Sequence, residues 1–322
     1  MKKLWQLWMT IALAVLLLVG CGQKEETPVE NNDNAQQEEA VDEAVFPITM
    51  TDAVGNEITL EAAPKTIVSM MPSNTEILFA LGLNEEIVGV NDYDNYPAEA
   101  LEKERIGGQE FNVEKIVAMN PEIVFAHESG LGIGDAGLQQ IRDAGVKVFV
   151  VKNAGDFDQT YTTIEQIGRA TGKFTEAQKI VEDMKAKVEE VKEKVAKVET
   201  KKTVFVETSD VPQIYTPGKG TFMQEILDMV NAENIAADQE GWFMISPEEI
   251  VSRNPDVIIV MYSFVDGIVD SVKARDGFDT VTAVQNDAVV QVDENLTSRT
   301  GPRLAEGLEE IAKAIYPEVF SE

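Results

Sequence analysis

Residues 113–124 read VEKIVAMNPEIV, and residues 247–258 read PEEIVSRNPDVI. Both segments begin as an amphipathic helix, stop at an asparagine-proline-acid triplet and continue as an apolar strand. Because proline cannot continue a helix, the triplet marks the same helix end in each copy. A second pair, TEIL at 75–78 and QEIL at 224–227, precedes the first pair in the same order. We call each of these repeated pairs of segments an echo. Two echoes in the same order along the chain predict two related lobes.

Short apolar strands alternate with helices around these segments. In the first half, strands are expected at residues 66–69, 87–90, 123–126 and 146–151. Strands that are apolar throughout and separated by helices are typical of parallel α/β sheets. We therefore predict an α/β fold with an N-terminal lobe at residues 46–157 and a C-terminal lobe at residues 201–322.

The segment between the lobes, residues 158–200, carries the strongest helical pattern of the chain. Its apolar residues recur every three or four positions, at Ile180, Met184, Val188, Val191, Val195 and Val198. A helix over residues 175–199 would be about 37 Å long, enough to link two lobes, and Thr175 with Gln178 could cap its start. A coiled coil is the alternative, but the apolar stripe is short and a strand-like segment follows at residues 203–206.

The N-terminus has the pattern of an export signal, residues 1–20, followed by a lipid-modified cysteine. Lys2 and Lys3 precede an apolar run that is short for crossing a bilayer, and Cys21 is the only cysteine in the chain. We therefore predict acylation of Cys21 and a protein that is lipid-anchored to the cell membrane on its extracytoplasmic side. The alternative is an ordinary signal peptide with an accidental cysteine.

Composition narrows the range of functions. Residues 21–45 are acidic and contain no aromatic residue, which predicts a disordered acidic tether. The formal net charge of the chain is −30. Such a surface repels nucleic acid and anionic lipid headgroups, so it excludes a protein that binds phosphate backbones.

No catalytic site is predicted. His127 is the only histidine, whereas a zinc carrier would need several and a serine hydrolase would need one beside a presented serine. Residues 132–137 match the dinucleotide pattern GxGxxG, but Lys152 stands where the ribose-binding acid belongs. The protein is therefore predicted to be a binding protein without a resident cofactor or metal. An exported enzyme that uses the cleft is the competing class.

Aromatic side chains follow predicted strands in both halves. In open α/β sheets ligands sit beyond the carboxyl ends of the strands. We therefore assign Tyr93, Tyr96, Phe111, Trp242, Phe243 and Tyr262 to a ligand cleft between the lobes. His127 also stands at a strand end, where it could contact the ligand or its metal, or be structural.

Two acids occupy equivalent positions in the second echo. Glu76 fits a capping box that begins at Ser73 and needs no further role. Glu225 is harder to explain, because Thr221 and Gln224 already form such a box one residue earlier. Equivalent acids in two lobes could form a two-point contact with basic sockets on a partner.

In sum, the chain resembles the substrate-binding lipoproteins of ABC importers for iron-siderophores, haem and vitamin B12. The features that carry the resemblance are Cys21, residues 67–69 with 74–76, DYDNYP at 92–97, the two triplets, the linking helix and GPR at 301–303. The resemblance implies two Rossmann-like lobes joined by one long helix, the class III periplasmic-binding-protein type. It also implies an ABC permease and its ATPase as partners, with Glu76 and Glu225 as the glutamates that meet permease arginines.

The cobalamin-binding branch is the nearest match within this family. Tyr93, Tyr96 and Pro97 match its tyrosine-rich turn, Trp242 matches a cleft tryptophan, and Arg299 and Arg303 match arginines near its C-terminal end. The second tryptophan of that branch is replaced by Gly108. The resemblance adds Arg299 to the ligand-binding residues.

We therefore predict a monomeric lipoprotein that captures cobalamin or a related corrinoid, a ligand that carries its own metal, and delivers it to an ABC permease. A ferric siderophore or haem is the alternative ligand. An adhesin or a sensor with the same fold also remains open.

Overall fold

The computed structural model describes residues 45–321 and begins with an antiparallel hairpin. Its strands are β1 (Ile48–Thr51) and β2 (Glu57–Leu60). The hairpin packs on the N-terminal lobe, because Ala53 donates its N–H to the carbonyl of Val150 at 2.9 Å.

A five-stranded parallel sheet forms the N-terminal lobe. Its strands are β3 (Ile67–Ser69), β4 (Ile87–Val90), β5 (Glu104–Arg105), β6 (Ile123–His127) and β7 (Lys147–Val151), in the order β5-β4-β3-β6-β7. Helices α1 (Pro72–Ala80), α2 (Val113–Ala118) and α3 (Asp135–Asp143) connect them, with 3₁₀ turns at Ala98–Glu102 and Glu128–Gly130.

Two consecutive helices link the lobes, where the sequence predicted one. They are α4 (Phe157–Thr171) and α5 (Phe174–Val195), separated by Gly172 in the left-handed conformation. The predicted cap at Thr175 is wrong, because α5 begins at Phe174 and its N-cap residue, Lys173, provides no side-chain cap. Helix α5 is about 33 Å long and packs on α4 and on a helix of the C-terminal lobe, α11 (Leu304–Ile315).

A separate four-stranded parallel sheet forms the C-terminal lobe, in the order β10-β8-β12-β13. The lobe contains the strands β8 (Thr203–Glu207), β9 (Tyr215–Pro217), β10 (Glu233–Asn234), β11 (Trp242–Met244), β12 (Val257–Val260) and β13 (Val289–Gln291). Its helices are α6 (Phe222–Met229), α7 (Pro247–Arg253), α8 (Ile268–Lys273), α9 (Thr282–Gln285), α10 (Glu294–Ser298), α11 and α12 (Pro317–Phe320), with a 3₁₀ turn at Phe278–Thr280. Strands β9 and β11 pair as a small antiparallel sheet.

The repeated triplets have the same structure in both lobes. Asn120 and Asn254 both adopt positive φ angles, 51° and 46°, at the ends of α2 and α7. The acid of each triplet then holds the start of the first parallel strand of its lobe. Glu122 accepts the N–H of Lys65 at 2.5 Å, and Asp256 accepts the N–H of Thr203 at 2.8 Å. The sequence echo is therefore a repeated structural unit.

The α/β fold with parallel sheets is confirmed, and one apolar cluster continues from lobe to lobe. It includes Phe125 of the first sheet, Val191 of α5 and Val206 of the second sheet, all at most 1% exposed. Pulling the lobes apart would expose this cluster to water, which costs free energy in proportion to the apolar area.

The export signal, Cys21 and nearly all of the tether lie outside the described residues. Within residues 45–321, no helix combines the length and the apolar character that a membrane span requires.

Candidate ligand-binding site

A cavity of about 190 Å³ lies at the carboxyl ends of strands of the N-terminal lobe. Met70 follows β3, Asn91 and Tyr93 follow β4, and His127 ends β6. The full lining comprises Met70, Met71, Pro72, Asn91, Tyr93, Gly108, Gln109, Phe111, Ala126, His127, Ser129, Gly130 and Leu138. The structure thus brings three of the predicted ligand residues, Tyr93, Phe111 and His127, to one cavity. None of the described residues that line it is an acid, a lysine or an arginine.

Glycines make room for the two aromatic rings of this cavity. A Cβ atom on Gly137 would lie 2.7 Å from the ring of Phe111, and one on Gly134 would lie 3.0 Å from it. The glycine-rich segment at residues 132–137 therefore accommodates the ring of Phe111. Gly108 serves Tyr93 in the same way, because a Cβ there would lie 2.9 Å from the Tyr93 ring. A tryptophan at position 108 would collide with Tyr93.

The turn that carries Tyr93 and Tyr96 is held by buried polar contacts. Asp94, 1% exposed, accepts the N–H of Asn91 at 2.8 Å and the hydroxyl of Thr75 at 2.9 Å. Arg105 donates to the carbonyls of Asn91 and Asp94 at 2.7 and 2.8 Å. Burial raises the pKa of Asp94 to about 6, against the lowering effect of these hydrogen bonds and of nearby arginines. Tyr93, 66% exposed, is thus presented from a rigid turn.

His127 is a buried member of the cavity wall. Its side chain is 8% exposed, and its Nδ1 accepts the N–H of Ser129 at 3.2 Å, with the hydroxyl of Ser129 at 2.8 Å. Burial lowers the pKa of His127 to about 4, although Glu128 acts in the opposite direction. The imidazole is therefore neutral at physiological pH.

The C-terminal lobe presents an exposed apolar strip on the hairpin of β9 and β11. Trp242 and Met244 are two residues apart on β11 and share one face, and Tyr215 pairs with Met244 across the hairpin. These side chains are 45%, 57% and 39% exposed. Tyr215 and Met244 were not among the predicted site residues. Side chains alternate between the two faces of a strand, so the sequence could have placed Met244 on the same face as Trp242. Tyr215 joins the strip only because β9 pairs with β11.

The other two predicted aromatic residues of this lobe pack inward. Tyr262 is 2% exposed and donates its hydroxyl to Glu207 at 2.5 Å, while burial and the neighbouring Glu207 raise its pKa. Phe243 is partly buried against the same core. Tyr262 therefore offers no free face to a ligand in this arrangement, whereas Phe243 keeps part of its surface exposed. Phe264, 71% exposed, stacks on Tyr262 with 4.8 Å between ring centroids.

Glu76 and two arginines form a buried ionic cluster between the lobes. Glu76 is 3% exposed and accepts hydrogen bonds from Arg299 at 2.8 Å and from Arg303 at 2.7 and 2.8 Å. Arg303 also lies 3.6 Å from the ring centroid of Tyr96, and Arg299 donates to the carbonyl of Tyr93 at 3.4 Å. Helix α1 begins at Pro72 without a side-chain cap, so the predicted capping role of Glu76 is wrong.

Glu225 also makes an internal contact. It is partly buried and accepts the N–H of Phe157, at the start of α4, at 2.8 Å. Burial raises its pKa, and the acids Asp156, Asp158 and Asp228 add to the rise. Docking through Glu76 and Glu225 stays a prediction, and it would require both carboxylates to give up these partners.

Comparison with known proteins identifies the fold. Residues 67–296 match the periplasmic binding protein family, and both parallel sheets lie in that range. The chain is a periplasmic binding protein. An ABC transporter substrate-binding lipoprotein of Bacillus subtilis, YvrC, is 41% identical over 325 residues, covering 100% of each chain. The protein therefore belongs with the substrate-binding proteins of ABC transporters, which bind their substrates and are not enzymes.

Two further relatives place this binding protein in the vitamin B12, haem and iron-siderophore group. A cobalamin-binding protein of Halobacterium salinarum is 28% identical over 95% of this chain and 83% of its own length. The crystal structure of a possible iron-binding, periplasmic solute-binding protein of Staphylococcus epidermidis superposes with a TM-score of 0.72. That protein is 38% identical, and the match covers 79% of this chain and 99% of that chain. The family resemblance seen in the sequence is confirmed.

Proposed function

We propose that this binding protein captures cobalamin or a related corrinoid outside the cell and delivers it to an ABC permease and its ATPase. The observation that carries the ligand assignment is the charge of the cavity. Its described lining contains methionine, proline, aromatic, amide and hydroxyl side chains and a neutral histidine, without an acid or a base that is charged at neutral pH.

An uncharged cavity fits a corrinoid better than the alternative ligands. Amide groups surround the corrin ring, and neutral hydrogen-bonding side chains and apolar surface can satisfy them. Haem carries two carboxylates and a ferric catecholate siderophore carries net negative charge, so both are best bound by arginine or lysine. Arg299 and Arg303 lie near the turn of Tyr93 and Tyr96, but Glu76 already binds both.

The ligand would be held between surfaces of the two lobes. The cavity with Tyr93 and Phe111 supplies the contact from the N-terminal lobe, and the strip of Tyr215, Trp242 and Met244 supplies the other. Aromatic faces and a polarisable thioether suit the flat, largely apolar face of a corrin ring. Because the apolar core continues between the lobes, closure on the ligand should be small.

Haem is the second candidate, and one observation favours it. The phenol of Tyr93 is exposed at the cavity rim, where a tyrosinate oxygen could bind ferric iron. This alternative predicts a tyrosinate-ligated haemin spectrum that Tyr93→Phe abolishes.

A single tryptophan makes the ligand test direct. Apart from Trp5 and Trp8 in the signal, Trp242 is the only tryptophan of the chain, so fluorescence of the protein lacking residues 1–20 reports on the strip alone. We expect cyanocobalamin to quench this emission with saturation and 1:1 stoichiometry, and haemin and a ferric catecholate to bind at least tenfold more weakly. Tighter binding of either competitor would contradict the cobalamin assignment.

For docking to the permease, the repeated unit offers an exposed pair of acids. Glu114 and Glu248 occupy the same position of the echo, in the first turns of α2 and α7, and both are exposed. Within residues 45–321, neither forms an ion pair like those that hold Glu76. We therefore propose Glu114 and Glu248 as a second candidate pair for the two-point contact with permease arginines, beside the predicted pair Glu76 and Glu225.

The membrane attachment is proposed to be a lipid on Cys21, after removal of residues 1–20. Substitution of Cys21 by Ala should release the protein into the medium, whereas the unsubstituted protein should remain with the membrane fraction. Mass spectrometry of the N-terminal peptide would identify the acyl groups.

A further inference from the structure

His127 carries a polar group that the contacts described so far leave unused. It ends β6 with its side chain 8% exposed, and its ring lines the cavity beside Ser129 and Phe111. Within residues 45–321, Nε2 of this ring has no hydrogen-bond partner, whereas Nδ1 has two contacts with Ser129.

The contacts of Nδ1 determine where the proton of the ring lies. A backbone N–H can only donate, so the nitrogen that accepts the N–H of Ser129 must carry a free electron pair. The hydroxyl of Ser129, 2.8 Å from the same nitrogen, can donate as well. A neutral imidazole has one proton, which is then on Nε2. Burial keeps the ring neutral by lowering its pKa.

The Nε2–H has no acceptor within residues 45–321, and because His127 lines the cavity, a ligand bound there can supply one. The carbonyl oxygens of corrinoid amides are acceptors of the right kind. Coordination of a metal would require the electron pair of Nε2 instead. The proton would then move to Nδ1, and the bond from the N–H of Ser129 would be lost.

We infer that His127 donates a hydrogen bond from Nε2–H to an oxygen at the edge of the ligand and does not coordinate the metal of the ligand. A chelate whose metal is already fully coordinated, as the cobalt of cyanocobalamin is, needs no metal ligand from His127. This inference rests on the proposed function for the identity of the chelate, but the protonated nitrogen is a property of the protein alone.

Nuclear magnetic resonance on ¹⁵N-histidine-labelled protein tests the protonated nitrogen directly. His127 is the only histidine of the chain, so an untagged protein gives one imidazole signal. We expect the pattern of a neutral ring protonated at Nε2, retained in Ser129→Ala because the backbone donor remains. A ring protonated at Nδ1 would overturn the inference.

Ligand binding supplies the second test. His127→Gln keeps an N–H donor and His127→Leu removes it, and thermal unfolding of both variants shows whether they fold. We expect His127→Leu to weaken cyanocobalamin binding about tenfold, the effect of about one hydrogen bond, and His127→Gln to weaken it less. Equal affinity of wild type and His127→Leu would overturn the donor role.

Haemin separates the two possible roles of His127. If haemin binds, its absorbance spectrum should be the same in wild type and in His127→Gln, and a loss of histidine ligation in the variant would overturn the inference. Failure of cyanocobalamin to bind wild type would refute the cobalamin assignment. The inference on His127 would still be tested, because magnetic resonance shows which ring nitrogen carries the proton without any ligand.

Discussion

Glu76 on α1 and Arg303 at the start of α11 form a bidentate ion pair, with distances of 2.7 and 2.8 Å, across 227 residues of sequence. Arg299 completes the cluster and contacts the turn of Tyr93, and Arg303 covers the ring of Tyr96. The glutamate that the sequence predicted to bind a permease thus joins the two lobes at the edge of the ligand turn.

Glu76→Gln should destabilise the protein strongly, because it leaves two arginines without the carboxylate that compensates their charge. Breaking one partner of a buried ionic cluster costs about 3–5 kcal/mol. Urea denaturation measures this loss. Glu306→Gln, an exposed acid on α11, should change the free energy of unfolding by less than about 0.5 kcal/mol. Similar stability of both variants would show that the cluster does not hold the lobes.

Gly137→Ala should disturb the cavity, because its new methyl group would lie 2.7 Å from the ring of Phe111. Overpacking of this kind costs about 1–3 kcal/mol, and displacement of Phe111 should also weaken ligand binding. The matched control is Gly155→Ala, whose methyl group has no neighbour closer than 3.9 Å. Unaltered affinity and melting temperature in Gly137→Ala would count against the role assigned to Phe111.

Trp242→Ala should weaken cyanocobalamin binding by at least tenfold, because a tryptophan at the centre of an interface contributes about 2 kcal/mol or more. Isothermal titration calorimetry measures the affinity without relying on fluorescence. Val54→Ala, an exposed apolar residue in the β1–β2 turn, should bind as wild type does. An affinity that is insensitive to Trp242 would remove the strip from the site.

The stability of the ligand turn should depend on pH through Asp94. Its pKa is about 6 in the folded protein and 3.8 ordinarily, so the folded state binds the proton more tightly. The stabilisation from Asp94 is therefore full below about pH 4 and is lost as the pH rises through 6. Asp94→Asn, which resembles the protonated acid, should gain up to about 3 kcal/mol relative to wild type between pH 4 and pH 7.

Urea denaturation of wild type and Asp94→Asn at pH 4 and at pH 7 measures this difference in the free energy of unfolding. His127 has the opposite effect on stability, because it destabilises the fold as the pH falls from 6.5 towards 4. Wild type and Asp94→Asn both contain His127, so its effect cancels in the difference between them. Asp266→Asn, which replaces an exposed acid, is the control for the loss of a carboxylate at the surface. A pH-independent difference for Asp94→Asn would refute the raised pKa.

Glu114→Ala combined with Glu248→Ala should reduce ligand uptake in cells and leave ligand affinity unchanged, because both acids are exposed. Glu182→Ala combined with Glu193→Ala removes the same charge from the exposed side of α5 and should leave uptake intact. Equal uptake by the two double variants would refute docking through the repeated unit. A double variant of Glu76 and Glu225 tests the original prediction, once its folding has been verified.

Local sequence patterns predicted the parallel strands well, because such strands are buried on both faces and read as apolar runs. They also predicted the repeated helix-strand unit, whose boundary is set by proline and by the left-handed conformation of Asn120 and Asn254. The sequence predicted one helix in the linking segment, beginning at residue 175 and thus close to the start of α5 at Phe174, and it missed α4 before that helix. The placement of Tyr215 was missed because pairing of β9 with β11 is not a local property.

The sequence by itself determined the α/β class, the two related lobes and the family of substrate-binding proteins. These depend on the order of apolar and turn-forming residues along the chain, which local chemistry sets. Only the tertiary structure decided which side chains reach the cavity, that Tyr262 packs in the core, and that Glu76 is bound by Arg299 and Arg303. Such contacts join residues that are far apart in the chain. They are determined by the free energy of packing and of pairing buried charges, which no local sequence pattern shows.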